Sequence, residues 1–257
     1  MIRLGICTQI QYAERMAQIG FDYIEPSMSS VAAMTDAEFE ESRRILAASG
    51  LQAEAMNGMM PGTIRLTGDN VNAQQIHDYL DLAFGRAAQL GTRVVVFGSG
   101  AARAVPDGFD YAQAWRQLAN FLRMAERHGR DHNIVVAIEP LRRAECNIIN
   151  YVSEAMALSS LVNMPHIGVL GDTYHMAMGS EPLEALVRAG QQLCHVHTAN
   201  GVGRYFPKPR DGEDYAAIFD ALNRAKYPGR ISIEGRTEDL FADAAVSFRL
   251  LNDIRNA

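Results

Sequence analysis

The 257-residue chain is 48% hydrophobic and carries a formal charge of -6, with a pI near 5.6. That is ample apolar material for a large core, and an acidic surface repels phosphate backbones, which argues against nucleic acid as a partner. No apolar run is long enough to span a bilayer, so no membrane partner is expected either.

The opening stretch MIRLGICTQIQYAERMAQIG has an apolar segment too short for a secretory signal, and a helix-like polar pattern follows at once. Its residues Ile2–Cys7 read as a strand. Further strands are expected at Phe21–Glu25, Leu51–Asn57, Arg93–Phe97, Ile134–Ile138, His166–Leu170, Leu193–His197 and Arg230–Ile233, eight in all. Several are nearly continuous apolar runs, as expected of parallel strands covered on both faces. Helical patterns separate them. Thr35 with Glu38 forms a capping-box signature ahead of a helix over Asp36–Ser49, which Gly50 ends. Asn72 with Gln75 resembles the same device at the start of Asn72–Leu90, where Ile76, Leu80, Ala83, Phe84, Ala87 and Leu90 fall on one face. Met56, Met59 and Met60 read as core packing.

The stretch FGSGAARAVPDG (97–108) lacks the GxGxxG spacing, and no helix is expected to begin there, which argues against a dinucleotide site. Gly98 and Gly100 form either an anion-binding backbone nest, with Arg103 adding charge, or a plain turn. Cys7, Cys146 and Cys194 are odd in number and widely spaced, with no CxxC pair. They read as reduced thiols of a cytoplasmic protein. His195 is expected to face away from His197 and the lumen, because side chains alternate along a strand.

Eight strand–helix units in a chain of this length match the size of a (β/α)8 TIM barrel, read as a single domain over 1–257. An open doubly wound sheet is the rival. It usually has fewer strands and often a Gly-rich turn after the first, where CTQIQY stands here. In a barrel, chemistry gathers at the C-terminal ends of the strands. Those ends carry Glu25, Asn57, Glu139, Asp172, His197 and Glu234. Burying several charges together is costly unless a cation sits among them. Glu139, Asp172, His197 and Glu234, from the last four strands, are therefore expected to ligate a metal. This mostly hard donor set suits Mn²⁺ or Mg²⁺, with Co²⁺ and Zn²⁺ as alternatives.

IEPLRRAE (138–145), GDTYHM (171–176), CHVHTAN (194–200) and GRISIEG (229–235) resemble the xylose-isomerase-like barrel superfamily. Within it they are most similar to the D-tagatose 3-epimerase family of ketose 3-epimerases. The resemblance implies a metal-dependent isomerase acting on a small sugar or hydroxy-keto substrate, with a homo-oligomer as one form of assembly. It assigns Glu139, Asp172, His197 and Glu234 to the metal, and gives Glu139 and Glu234 the added task of exchanging protons with the substrate carbon. Glu145 and His175 match positions that contact sugar oxygens. The family's arginine after the strand-seven histidine has no exact counterpart: Gly203 stands there, with Arg204 one residue on. Arg204, Asn57 and Arg103 are taken as further substrate contacts. Lys208 and Arg210 face either an anionic substrate or water.

The expected reaction is proton transfer through a metal-stabilised enediolate, giving ketose 3-epimerisation. Alternatives are a hydroxypyruvate isomerase and a metal-dependent lyase on 3-keto sugars, such as a C-glycoside deglycosidase subunit.

Overall fold

The computed structural model describes residues 1–257. Its strands are β1 (Arg3–Cys7), β2 (Tyr23–Glu25), β3 (Ala55–Met56), β4 (Val94–Phe97), β5 (Val135–Ile138), β6 (Ile167–Asp172), β7 (Leu193–Thr198) and β8 (Arg230–Ile233). They run in the order β2-β1-β8-β7-β6-β5-β4-β3, and every pair is parallel. The two ends of the list meet through a parallel bridge between Ser27 and Asn57, and the Ile24 N–H donates to Gln52 O at 3.2 Å. The result is a nearly closed (β/α)8 barrel with helices packed around it.

All eight expected strands are present. β3 is much shorter than LQAEAMN suggests, because Glu54 O accepts from both Arg93 and Val94 N–H at 2.8 and 3.2 Å and the ladder becomes regular only at Ala55. The Asp36–Ser49 helix starts on a complete capping box, Thr35 with Glu38, and stops where Gly50 turns left-handed at φ 74°. The Ala73–Gln89 helix uses half of that device: the Asn72 side chain accepts from the Gln75 N–H at 3.1 Å. Met56, Met59 and Met60 are buried in the core, as expected. A short helix, Gly100–Arg103, does begin in the Gly-rich stretch, contrary to expectation. One turn is too brief to register as an apolar period.

Side chains two apart on a strand share a face. Tyr23, Ala55, Val94, Val96, Ala137 and Leu170 form a buried cluster inside the barrel. The residues two positions further on, among them Glu25, Asn57, Glu139 and Asp172, then look out of the C-terminal mouth. Gly5 of β1 supports this layer: a methyl group there would overlap the Tyr23 ring, whose hydroxyl crosses to donate to Ser232 Oγ at 2.7 Å.

Candidate active site

Glu139 leaves the end of β5 with its N–H on Phe97 O at 3.2 Å. Its carboxylate needs the space left by Gly98, where any methyl group would collide with Glu139 Oε2. Gly98 therefore makes room for an acid rather than forming an anion nest. Asp172 ends β6 and divides its two oxygens. Oδ1 accepts from Tyr174 and His175 N–H at 2.8 and 3.0 Å and so caps the short helix Thr173–Met178. Oδ2 is left for the mouth.

His197 Nδ1 lies 3.2 Å from Glu234 Oε2, 3.4 Å from Glu139 Oε1 and 3.9 Å from Asp172 Oδ2. One donor atom from each of the four residues lies within 4.8 Å of the others. Direct ligands sit about 2.0–2.6 Å from a divalent ion, so this spacing encloses one. Glu139 Oε1, Asp172 Oδ2 and His197 Nδ1 are buried with no hydrogen-bond partner. Buried polar atoms are otherwise paired almost everywhere in proteins. The donors fit a cation.

The electrostatics agree. Burial, and then the charge of Glu234, raise the Asp172 carboxyl to about 6. Burial is also the main cause holding Glu139 above the usual carboxylate range. Burial pushes Glu234 the same way, but His197 and Arg204 override it and bring it down to about 2. Burial disfavours a charged His197 ring, yet Glu25 and Glu234 hold it protonated well above the ordinary imidazole value. Crowded acids sharing a borrowed proton are what a divalent cation relieves.

Beneath the cluster lies a buried polar layer. Glu25, with no exposed surface, accepts from His197 Nε2 at 2.8 Å, His195 Nε2 at 2.8 Å and Ser232 Oγ at 2.5 Å. Through the Nε2 bond Glu25 orients the imidazole so that Nδ1 faces the three carboxylates. This is the carboxylate–histidine arrangement that metal sites use to fix a ring and its tautomer. The expectation for His195 is corrected: it faces the lumen, fully buried, on the same side as His197. Residues two apart share a strand face, so the alternation rule itself places the two rings together. In the sequence Glu25 stands out only as the polar end of its strand. The signal that would have found its role is the HVH spacing, which sends two imidazoles to one side and calls for a buried acceptor.

The remaining expected residues divide. Arg204, on the loop after β7 with φ 59°, reaches Glu234 Oε2 at 2.5 Å and stands 3.7 Å from both Asp172 Oδ2 and Glu145 Oε2. His175 Nδ1 accepts from the Arg142 N–H at 3.3 Å, which leaves Nε2 buried and unpartnered 3.9 Å from Glu145 Oε2. Asn57 Nδ2 is 3.5 Å from Glu234 Oε1. These four residues surround the cluster. Arg103 does not. It is fully buried and donates to the carbonyls of Phe97 and Glu139, both at 2.7 Å, and of Ile149 at 3.4 Å. Its guanidinium braces the backbone behind Glu139 and meets no open space, so the expected substrate contact is corrected. Lys208 is tied to Asp243 at 2.7 Å on the rim.

A family model for xylose isomerase-like TIM barrels matches residues 13–253. The chain belongs to this family. Within the xylose isomerase-like barrels, a ketose 3-epimerase of Arthrobacter globiformis is 26% identical over 239 residues, 91% of this chain and 80% of the relative. A 3-dehydro-D-guloside 4-epimerase of Escherichia coli is 30% identical over 123 residues, 47% of this chain, and the match spans only 46% of that enzyme. A D-psicose 3-epimerase solved in the presence of D-fructose superposes with a TM-score of 0.86, covering 99% of each chain at 19% identity. At that identity the likeness is one of fold.

Proposed function

We propose that this xylose isomerase-like protein is a Mn²⁺-dependent sugar epimerase that works by ketose 3-epimerase chemistry. The observation that carries the reading is the pair of carboxylates, Glu139 and Glu234, held beside His197 and Asp172 with all four donors within 4.8 Å. They come from β5 and β8, three strands apart around the barrel. A substrate lying across the mouth would have one acid on each side of its reacting carbon. Bound between these donors, the cation would supply a Lewis acid for the substrate carbonyl and offset the negative charge that develops when the neighbouring proton leaves.

The chain's own groups do the rest. One glutamate takes the proton and the other returns one to the opposite face. Both carboxylates are among the four donors that would hold the cation, and both would be ionised with it bound. Which of the two is the first base then follows from the face of the substrate carbon that carries the proton. His175, Glu145, Arg204 and Asn57 would orient the substrate's hydroxyl groups. A single base moving a proton between adjacent carbons would give isomerisation; two facing carboxylates favour epimerisation. Cys7, Cys146 and Cys194 remain free thiols, which supports a reducing compartment such as the cytoplasm.

The test is turnover in D₂O. The Mn²⁺-loaded protein should place solvent deuterium on the substrate carbon next to the carbonyl. Glu234→Gln should keep the fold and some Mn²⁺ binding and lose at least about 10²-fold in turnover, the scale of general acid–base assistance. Undiminished turnover after chelation, or epimerisation without solvent deuterium, would refute the proposal.

A further inference from the structure

Two openings lie beside the carboxylate cluster, and they differ in size and charge. One is a cleft of about 1080 Å³ between the chain after β1 and the Asp36–Ser49 helix. Its inner end reaches Asn57, which lies 3.5 Å from Glu234 Oε1, with the buried Glu25 behind it. Its apolar walls come from Ile10, Tyr12, Val31, Met34, Ile45 and Leu240. No lysine or arginine lines it, while Glu38 and Glu41 do. The second opening is a cavity of about 220 Å³ against Arg142, Arg204 and Arg236. Arg142 and Arg204 are already paired, with Glu145 at 2.7 Å and Glu234 at 2.5 Å, so only Arg236 is left to attract an anion.

From this asymmetry we infer that the substrate is a neutral keto-glycoside, with its sugar ring at the carboxylate cluster and an apolar aglycone in the large cleft. The inference rests on the sugar-epimerase reading and names its substrate class. The volume is the first argument. Cavities of roughly 300–1,000 Å³ hold ligands of drug size, and a lone monosaccharide would leave most of this cleft wet. The lining is the second. A free ketose is polar all round and gains nothing from a wall of Ile10, Val31, Met34 and Ile45. An aromatic group gains the burial of its faces there and an edge or stacking contact with Tyr12, whose ring is held by Phe241 at 5.5 Å. Charge is the third. Glu41 is paired with Arg44 at 2.5 Å, Glu38 pairs with no cation, and no lysine or arginine lines the cleft, so nothing in it would hold a phosphate or carboxylate on the aglycone.

The experiment compares phenyl 3-keto-β-D-glucopyranoside, methyl 3-keto-β-D-glucopyranoside and D-fructose on the Mn²⁺-loaded protein, by solvent-deuterium incorporation and by calorimetric binding. One methylene in an apolar pocket is worth roughly 10–200-fold in kcat/KM, so the phenyl glycoside should exceed the methyl glycoside at least about tenfold in both readouts. Ala37→Trp, which narrows the cleft from the Asp36–Ser49 helix, should shrink that phenyl-to-methyl ratio. Exchange on D-fructose with no phenyl preference in either readout would overturn the aglycone cleft and leave the epimerase reading standing. Absence of exchange on all three, with tight phenyl binding that Ala37→Trp weakens, would keep the cleft and overturn the epimerase reading. A 6-phosphate of the methyl glycoside binding more tightly than the uncharged form would overturn the requirement for neutrality.

Discussion

Glu25→Gln tests the layer beneath the metal donors. The substitution keeps the volume of the side chain and removes one acceptor oxygen and the charge. Glu25 accepts three hydrogen bonds in the wild type, from His195, His197 and Ser232 at 2.5–2.8 Å. An amide has one oxygen, so it can serve one of its two sides. Ser232 can turn its hydroxyl and accept from the amide, but one imidazole then meets an N–H group. Hydrogen bonds to a charged group contribute roughly 1.5–3 kcal/mol each, so a loss of about 3 kcal/mol is expected. For a chain of this size that lowers Tm by roughly 6–12 °C.

The functional effect follows from the tautomer. If the amide nitrogen faces His197 Nε2, the ring proton moves to Nδ1, the atom aimed at Glu139 and Glu234. That closes the lone pair to a cation, and a loss of about 10–100-fold in Mn²⁺ affinity should result. Calorimetric Mn²⁺ titration reads the affinity, and thermal unfolding with and without Mn²⁺ reads the stability. A variant that bound Mn²⁺ within about twofold of wild type with an unchanged Tm would show that Glu25 neither orients the ring nor anchors the layer, and would refute the reasoning.

Three further predictions concern the same mouth. Burial and Glu234 raise Asp172 to about 6, so the folded metal-free protein keeps a proton that the unfolded chain releases near ~3.9. The metal-free protein should therefore lose stability as pH rises from about 4 through 6, while Mn²⁺ affinity should climb over the same window; denaturant titrations and Mn²⁺ binding at several pH values would check both directions. Gly98→Ala sets a methyl group against Glu139 Oε2 and should displace that carboxylate, costing about 10²-fold in turnover with a smaller effect on Tm, as kinetics and thermal unfolding would read. Arg103→Met leaves the Phe97, Glu139 and Ile149 carbonyls without their donor; the expected loss is about 3 kcal/mol or more in urea unfolding, and a neutral result would contradict the bracing role.

The strand order and the four converging donors were legible in the sequence because both follow from local regularities. Apolar runs of strand length spaced by helical patterns define a barrel, and a polar residue at the end of such a run points to its mouth. The stop of the Asp36–Ser49 helix was legible for the same reason: Gly50 adopts the left-handed conformation that L side chains avoid, at φ 74°. Glu25, Arg103 and the cleft were not legible. Glu25 gains its role from two histidines some 170 positions away, and a strand-end acid looks the same in sequence whether it binds a metal or holds a ligand's ring. Arg103 follows a Gly-rich turn and looked ready to meet a substrate; the fold instead wraps carbonyls from β4, β5 and the loop after it around its guanidinium. The sequence by itself determined which residues stand at the strand ends, since a period of two and a covered sheet leave little choice. Only the tertiary structure decided which of those polar groups satisfy one another and which are left facing open space, because hydrogen bonds and burial depend on distances between strands that no local pattern encodes.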